Sequence, residues 1–431
     1  MATPKIRMLC FAAETFPTHR VDVDVLFGRE LAGRGHAVDF VMQAAGEAQP
    51  AGPRPWNGRT VFVGETRDGG GALDRVRRQT LEILHDLRCL GRARRDDYDA
   101  IQVRDKFLIA AIAALVARSR GLRFFFWMSF PMPEADVLNA RSGNAFIPAV
   151  TLARGLLTGW LLYRWILPRA DHVFVQSERM KIQVALRGID PSRITPVPMG
   201  VDLESLPAHS GPPRDADLAP AGGEAEARQP RSGSDVVIGY LGTLDASRRL
   251  EILVEMLALL RRDGVPVRLL LIGDAVARRD RDALSRLAAE RGVESQLEIT
   301  GMLPRAEAMR RMSAADIAVS PILRSPIFDV GSPTKLVEYM ALGIPVVANS
   351  HPEQQLILRE SRAGVCVPWS ARQFARGVRW LMQRPPEELE AMGRRGRDWV
   401  LRHRAYPVLG KELERRYQDL LGPRAVAAPA G

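Results

Sequence analysis

The sequence predicts an α/β protein of two Rossmann-like domains, each a doubly wound parallel sheet, which face each other across a cleft. Short apolar runs alternate with longer amphipathic segments along most of the chain, as strands and helices do in parallel sheets. The alternation stops once, over residues 206–235, where Pro, Gly, Ala and Ser prevail, and then begins again. With 431 residues, the chain is long enough for two domains of ordinary size.

This pattern divides the chain into four parts. They are an N-terminal Rossmann-like domain over residues 1–205, a flexible linker over 206–235, a second Rossmann-like domain over 236–385, and C-terminal helices with a loose tail over 386–431. The linker has too few apolar side chains to build a core of its own. We expect the C-terminal helices to pack back toward the N-terminal domain.

In the first half, apolar runs predict strands at residues 6–13, 37–42, 61–63, 100–103, 123–128, 171–175 and 194–198. The amphipathic segments between them predict helices at 21–33, 73–90, 107–117 and 177–186. Ligands of such sheets bind at the carboxyl ends of the strands. The loop over residues 14–24, which follows the first strand, is therefore a candidate edge of a site.

The same order of elements returns in the second half. Strands are predicted at residues 236–241, 267–272, 297–300, 317–320 and 346–348. Helices are predicted at 250–262, 305–313, 371–383, 386–403 and 409–420. A further helix follows the strand at 267–272 and ends at residue 291. The run at 346–348 is short and apolar throughout, which is typical of a strand buried on both faces of a parallel sheet.

A helix followed by a strand is predicted over residues 331–348. Pro333 suits a helix start, Ser332 or Thr334 can cap the helix, and apolar residues at 336, 339 and 340 mark a buried face. Free N–H groups at the helix start, beside Lys335, can receive an anion such as a diphosphate. Glu338, one turn later, can accept hydrogen bonds from hydroxyl groups of the same ligand. The alternative is a surface Lys–Glu pair on an ordinary helix.

Composition excludes few classes of function. The net charge of +11 permits nucleotide phosphates, an anionic membrane or nucleic acid as partners. The arginines are dispersed along helices rather than gathered beside aromatic stacking positions, so no nucleic-acid partner is predicted. Three cysteines without metal-ligand spacing suggest a reducing compartment, and no signal peptide precedes the first strand. We expect a cytoplasmic protein.

Residues 146–167 form an apolar segment that two arginines interrupt. The segment runs from Phe146 to Leu167 and contains Trp160, with Arg154 and Arg164 inside it. The arginines argue against a membrane span. Either an amphipathic helix makes peripheral contact with the inner face of the cell membrane, or a long helix lies in the core.

Short motifs in a fixed order carry a resemblance to a known family. The second half contains Gly242-Thr243-Leu244 with Arg248, Leu271-Ile272-Gly273-Asp274, Gly301-Met302-Leu303-Pro304, and Ser332-Pro333-Thr334-Lys335-Leu336 leading to Glu338. It resembles the nucleotide-sugar-binding domain of the family 4 glycosyltransferases, which have the GT-B fold. The first half, with Val197-Pro198-Met199-Gly200-Val201-Asp202, resembles the acceptor-binding domain. A subgroup of this family carries Ser-Pro-Thr-Lys before the Glu and often serves surface-polysaccharide assembly. This chain resembles that subgroup.

The resemblance implies retaining transfer of a sugar from a UDP- or GDP-sugar to a saccharide or lipid-linked saccharide, in cell-surface polysaccharide or glycolipid synthesis. It implies that Arg248, Lys335 and Glu338 carry catalysis, and that Glu338 binds the donor ribose. The remaining donor contacts it implies come from Gly242, Thr243, Gly273, Asp274, Gly301, Met302, Leu303, Ser332, Pro333, Thr334 and Leu336. No cofactor and no essential metal are expected, since positive charge and the helix dipole can stabilise the leaving diphosphate.

Four positions depart from the family pattern. Val330 stands where many members have the first of two glutamates, and Thr243 stands where an Arg is usual. Arg248 stands where a phosphate-binding Lys is usual, and keeps the charge with a planar fork of donors. A His of the first domain is replaced by Trp127-Met128-Ser129; His19 either takes its place or is only solvated.

Two alternative functions and one candidate metal-binding motif stay open from the sequence. A nucleotide-sugar 2-epimerase of the same fold would need additional acid and base groups in the cleft. A non-catalytic partner subunit would account for Val330 and Thr243. The pair Asp22 and Asp24 has the spacing of a metal-binding motif, but a pair of surface carboxylates at a helix start is the favoured interpretation.

Overall fold

A computed structural model describes residues 5–18, 20–46, 51–65, 71–143, 145–207 and 235–422 of the chain. His19 and residues 208–234 of the predicted linker lie outside the described residues. The chain divides into two compact units, one formed by Met1–Met199 with Tyr406–Gly431 and the other by Gly200–Ala405. The observed boundary after Met199 lies a few residues before the predicted one.

In its described part, the first unit contains an eight-stranded sheet with the order β3-β4-β2-β1-β5-β6-β7-β8. The strands are β1 (Arg7–Phe16), β2 (Ala37–Ala44), β3 (Gly52–Trp56), β4 (Arg59–Gly64), β5 (Ala100–Arg104), β6 (Arg123–Met128), β7 (His172–Val175) and β8 (Ile194–Pro196). All neighbouring strands are parallel except β3 and β4, which form an antiparallel hairpin. The parallel order matches the alternation in the sequence.

Helices cover this sheet. They are α1 (Asp22–Leu31), whose hydrogen bonds follow the wide i→i+5 pattern, α2 (Ala72–Gly91), α3 (Phe107–Arg120), α4 (Met132–Arg141), α5 (Pro148–Leu161) and α6 (Glu178–Ala185). Helix α5 continues through Leu162–Ile166 into Leu167–Arg169. Together α4 and α5 form a close pair, because a Cβ on Gly155 would lie only 2.9 Å from the carbonyl oxygen of Pro133.

The last helix of the chain, α14 (Tyr406–Leu421), belongs to the first unit. Tyr417 on this helix is fully buried and donates a hydrogen bond of 2.5 Å to Oε1 of Gln102 on β5. Its ring lies 5.1 Å from that of Phe174 and 5.7 Å from that of Phe125, centroid to centroid. Helix α14 is therefore part of the core of a sheet whose strands all precede residue 200.

In its described part, the second unit contains a six-stranded sheet, parallel throughout, with the order β11-β10-β9-β12-β13-β14. The strands are β9 (Val236–Leu241), β10 (Val267–Ile272), β11 (Leu297–Ile299), β12 (Ile317–Ser320), β13 (Val346–Asn349) and β14 (Gly364–Val367). This is the doubly wound order of a Rossmann fold, and it changes direction between β9 and β12. A ligand is expected at the carboxyl ends of the strands beside that point.

The helices of the second unit are α7 (Glu251–Arg262), α8 (Arg278–Glu290), α9 (Arg305–Ser313), α10 (Thr334–Ala341), α11 (Pro352–Ser361), α12 (Ala371–Met382) and α13 (Pro386–His403). Helix α13 lies within this unit. The C-terminal segment predicted as one block thus divides between the units, with the chain passing from one to the other after Ala405. There, the N–H of Val201 donates to the carbonyl of Arg404 over 2.8 Å.

Strands β3 and β14 and helices α4 and α11 were not predicted. Strand β3 contains Pro53 and Pro55, which are compatible only with an edge strand, and β3 does lie at the sheet edge. Helices α4 and α11 each have a proline at their start, a helix-start signal that the prediction did not use at these two places.

The interpretation of Asp22 as a surface carboxylate was wrong. Asp22 is buried, and its carboxylate accepts a hydrogen bond of 2.6 Å from Nη2 of Arg104. Arg104 also donates through Nε to Glu14 over 2.9 Å. Burial raises the pKa of Asp22, but the charges of Arg104 and Arg20 outweigh it and lower that pKa to about 2. This group links the end of β1 to the first turn of α1.

The segment at residues 146–167 is not a core helix over its first half. Phe146 is fully exposed, and the apolar side chains of Ile147, Val150, Leu156, Leu157 and Trp160 are exposed as well. The second half, with Leu162, Ile166 and Leu167, is buried against the unit. Among the described residues, every helix is too short or too polar to cross a membrane.

Candidate functional site

The predicted site residues of the second unit gather where β9, β10 and β11 end. The N–H of Gly242, directly after β9, donates to the carbonyl of Ile272 over 2.9 Å. Gly273, directly after β10, pairs with Gly301 in an isolated antiparallel bridge. These backbone contacts place the three loops side by side, next to the point where the strand order changes direction.

Two of these glycines are required by space and by conformation. Gly242 and Gly273 have φ angles of 151° and 139°, which side chains rarely allow. A Cβ on Gly273 would lie 2.1 Å from the carbonyl oxygen of Gly242, and one on Gly242 would lie 2.2 Å from Cε of Lys335. Because Gly242 has no side chain, Lys335 of α10 can lie directly against the loop after β9.

Lys335 is the central cation of this site. Its ammonium lies 5.6 Å from the centroid of the Tyr240 ring, in reach of a cation–π interaction. Burial, and then the positive charge of Arg248, lower the pKa of Lys335 to about 8, although the carboxylate of Glu338 acts in the opposite direction. Arg248 is exposed in a short turn over Ala246–Arg248. Lys335 and Arg248 are thus close enough to repel each other, and both add positive potential near the loop after β9.

Two tyrosines that the sequence did not identify as site residues hold the loop after β9. The hydroxyl of Tyr240 donates to the carbonyl of Thr243 over 3.2 Å. The N–H of Leu241 donates to the hydroxyl of Tyr339 over 2.9 Å. Since Tyr339 belongs to α10, it fixes the distance between that helix and the loop. Only its position on a buried helix face was visible in the sequence.

The start of α10 differs from the prediction. The helix begins at Thr334, its N-cap residue is Pro333, and Pro333 makes no side-chain cap hydrogen bond. The hydroxyl of Ser332 instead donates to Oε1 of Glu353 over 3.2 Å. Because the proline at the N-cap has no side-chain acceptor for the first-turn N–H groups, this helix start can present them to an anion.

Glu338 does not face solvent freely. Its side chain is 8% exposed, and Oε1 accepts a hydrogen bond of 2.8 Å from Nη2 of Arg305, whose side chain is 41% exposed. Arg305 was not predicted as a site residue. The available signal was its position as the first residue of α9, directly after the predicted contact turn at 301–304.

The other predicted site residues differ in what they can contact. Leu336 is fully buried in the core, so only its backbone can face a ligand. Met302 is exposed, while Leu303 packs against the core. Asp274 accepts from the N–H of Ala275 over 2.9 Å and pairs with Arg281 at 3.3 Å.

The positions that depart from the family pattern are occupied in other ways. Val330 is fully buried. Asp329 beside it forms two hydrogen bonds with Arg324, of 2.6 and 2.8 Å. Within the described part of the chain, Oγ1 of Thr243 is buried and has no hydrogen-bond partner. Neither Val330 nor Thr243 supplies a charge to the site.

This arrangement suits a ligand with an anionic part and a hydroxyl-bearing part. The helix start, Lys335 and Arg248 provide positive potential for a diphosphate. A carboxylate such as that of Glu338 accepts hydrogen bonds from neighbouring hydroxyls. Over the ranges that the structure describes, no group of three or more His, Cys, Asp or Glu side chains could hold a metal ion.

Two family models match the chain. The model described as "Glycosyl transferase 4-like domain" matches residues 26–200, and that described as "Glycosyl transferases group 1" matches residues 235–384. The second match contains every predicted site residue. The first match lies almost wholly within the first unit, and the second match lies within the second unit.

Curated proteins with similar sequences include two glycosyltransferases. One is a putative colanic acid biosynthesis glycosyltransferase, WcaL of Escherichia coli, 25% identical over 56% of this chain. The chain spans 52% of the length of WcaL. The other is D-inositol 3-phosphate glycosyltransferase 1 of Catenulispora acidiphila, 27% identical over 83% of this chain and 80% of that protein.

Solved structures share the fold at low sequence identity. Sucrose-phosphate synthase from Thermosynechococcus elongatus aligns with a TM-score of 0.70 at 16% identity, covering 96% of this chain and 99% of the other. Anabaena HepE in complex with UDP-glucose aligns with a TM-score of 0.64 at 14% identity, covering 96% and 100%.

Proposed function

The chain belongs to the family 4 glycosyltransferases, and we propose that it is a retaining enzyme that moves a sugar from a UDP- or GDP-sugar to a saccharide or lipid-linked saccharide. The observation that carries this proposal is the contact between Lys335 and Gly242. It brings an ammonium, a glycine loop and the start of α10 to one point beside the ends of β9 and β10.

In this proposal the diphosphate of the donor lies between the loop after β9 and the first turn of α10. The N–H groups of that turn donate to phosphate oxygens, and Lys335 and Arg248 compensate their charge. The carboxylate of Glu338 accepts from the ribose hydroxyls. The structure of HepE is described as a complex with UDP-glucose, which supports a nucleoside-diphosphate sugar as the donor in this proposal.

The reaction exchanges one bond at the anomeric carbon for another. The bond between that carbon and the β-phosphate oxygen breaks, and the acceptor hydroxyl oxygen bonds to the same face of the carbon. The acceptor proton passes to the leaving diphosphate, so atoms and charge balance. Lys335, Arg248 and the helix dipole stabilise the negative charge that develops on the leaving group, with no metal ion required.

The proposed acceptor is a membrane-bound, lipid-linked saccharide. Exposed arginines flank the exposed apolar side chains of α5: Arg141 at the end of α4, and Arg164 in the segment Leu162–Ile166 that continues α5. An apolar face flanked by cations suits an interface with anionic lipids. The name of WcaL, which refers to colanic acid biosynthesis, supports a role in surface-polysaccharide synthesis.

Ligand-induced thermal stabilisation tests the donor site. The protein is heated with UDP, GDP, ADP and their sugars, beside Glu338→Ala and the control Glu307→Ala, which changes a carboxylate on α9 that pairs with Arg310. A nucleotide at 100 times its Kd should add about 2.7 kcal/mol to the free energy of unfolding. One nucleotide series should stabilise the wild type and the control but not Glu338→Ala.

No stabilisation by any nucleotide would favour the non-catalytic partner subunit instead. Conversion of the donor sugar to its C2 epimer without an acceptor would favour an epimerase.

Sedimentation with vesicles tests the membrane contact. Vesicles of phosphatidylglycerol should bind the protein, and Phe146→Ser with Trp160→Ser should weaken that binding. Val276→Ser, which removes an equally exposed apolar side chain from the second unit, should not. Equal binding by all variants would contradict contact through α5.

A further inference from the structure

The ion pair between Glu338 and Arg305 connects two parts of the candidate donor site. Glu338 lies on α10, whose start is proposed to receive the diphosphate, and Arg305 begins α9 directly after the turn whose residues 301–303 are predicted to contact the donor. Nη2 of Arg305 lies 2.8 Å from Oε1 of Glu338. The pair is separated by 33 residues in sequence, so the fold alone brings it together.

Glu338 is the more buried partner by a wide margin. A carboxylate removed from water needs a hydrogen-bonding cation nearby, because burial of an unpaired charge is costly. Arg305 meets this need through one carboxylate oxygen, while its guanidinium remains accessible from solvent. A carboxylate has two oxygens and about four acceptor positions, so one bond to Arg305 leaves capacity for another ligand.

The geometry points to Arg305 as a positioning residue of the donor site, which holds the Glu338 carboxylate in the orientation that accepts the ribose hydroxyls. This inference rests on the proposed function. Arg305 acts through Glu338 and need not touch the donor. Its effect is therefore on recognition of the ribose, rather than on the charge of the diphosphate.

A competing role predicts the opposite result. If Arg305 blocked the carboxylate in the free protein, the ribose would have to displace it, and removal of Arg305 would tighten nucleotide binding. If Arg305 positions the carboxylate, its removal weakens binding and erodes the preference for ribose over 2′-deoxyribose. The two roles are thus separated by the sign of the change in affinity.

The experiment compares UDP with 2′-deoxy-UDP, and likewise GDP and ADP with their 2′-deoxy forms, by isothermal titration of the full chain. The variants are Arg305→Ala, Arg305→Lys and the control Arg310→Ala, whose guanidinium lies on the same helix, is about half-exposed and pairs with Glu307. Circular dichroism and thermal unfolding establish that each variant is folded.

We expect Arg305→Ala to weaken binding of the ribonucleotide about tenfold, as loss of a hydrogen bond to a charged group does. Its ratio of affinities for ribose and 2′-deoxyribose forms should fall toward one, Arg305→Lys should restore part of that ratio, and Arg310→Ala should retain it. An unchanged ratio or tighter binding in Arg305→Ala overturns the inference, while the wild type still binds. Failure of every nucleotide to bind the wild type overturns the proposed function, and the inference with it.

Discussion

The guanidinium of Arg104 lies 2.6 Å from the carboxylate of Asp22, and both side chains are almost completely removed from solvent. Arg104 also reaches Glu14 at 2.9 Å and lies over the Trp127 ring at 5.5 Å. One cation therefore serves two carboxylates at the carboxyl ends of β1 and β5, where the strand order of the first sheet changes direction.

Replacement of Arg104 by Met should destabilise the first unit strongly, because Asp22 and Glu14 would lose their buried cation and keep only Arg20, whose side chain is 41% exposed. The expected loss in the free energy of unfolding is about 3–5 kcal/mol, measured by urea denaturation. Arg123→Met is the matched control, since it breaks a more exposed pair with Asp171 at 2.8 Å and should cost about 0–1 kcal/mol. Similar losses in the two variants would contradict this account.

Asp22 should make stability depend on acidity. Its pKa is about 2 in the folded protein against an ordinary value of 3.8. A lowered pKa contributes stability that is present above pH 4 and is lost as the pH falls from about 4 to 2. The contribution is roughly 2 kcal/mol. The difference in unfolding free energy between the wild type and Asp22→Asn should shrink over that range, and a constant difference would argue against the pair.

Nucleotide affinity should depend on the charge of Lys335. Its pKa of about 8 means that the ammonium is lost as the pH rises through 8, and a diphosphate binds the charged form better. The affinity of the cognate nucleoside diphosphate should therefore fall by up to about tenfold per pH unit above 8, as titration calorimetry between pH 7 and 9.5 would measure. The affinity of Lys335→Arg should not depend on pH in this range. An equal decline in that variant would assign the effect to another group.

Substitution of Gly242 by Ala should impair the site more than the fold. The new Cβ would collide with Lys335 and displace its ammonium, so turnover should fall about 100-fold, as for loss of one charge-stabilising group. Gly264→Ala is the control, because Gly264 has a φ angle of 74° but nothing within 4 Å of the added atom. Initial rates are measured with saturating donor for Gly242→Ala and Gly264→Ala. Equal rates would contradict the role of Lys335 in stabilising the diphosphate.

Local sequence patterns sufficed for β9, β10 and β12 of the second sheet, because these strands are largely buried on both faces. Val236–Leu241, Val267–Ile272 and Ile317–Ser320 have the bounds that their apolar runs predict. The glycines at 242, 273 and 301 were recognisable because each directly follows a strand. Such signals lie within a few residues of the feature they predict.

Long-range pairs carried no such signal. Nothing around Arg305 indicates that it meets Glu338, and nothing around Asp22 indicates the buried cation 82 residues later. In both cases an isolated charged residue is most often exposed. Only the arrangement of strands brings the partners together, so the burial of these charges could not be inferred from their neighbours.

The position of α14 has a consequence for biosynthesis. The ribosome completes every strand of the first unit before residue 200, yet Tyr417, which bonds Gln102 and packs against Phe125 and Phe174, emerges last. At about 5–20 residues per second, this leaves the nascent first sheet without its final helix for roughly 10–40 seconds. The second unit, continuous from Gly200 to Ala405, can finish folding before the first, the reverse of the order in which translation begins them.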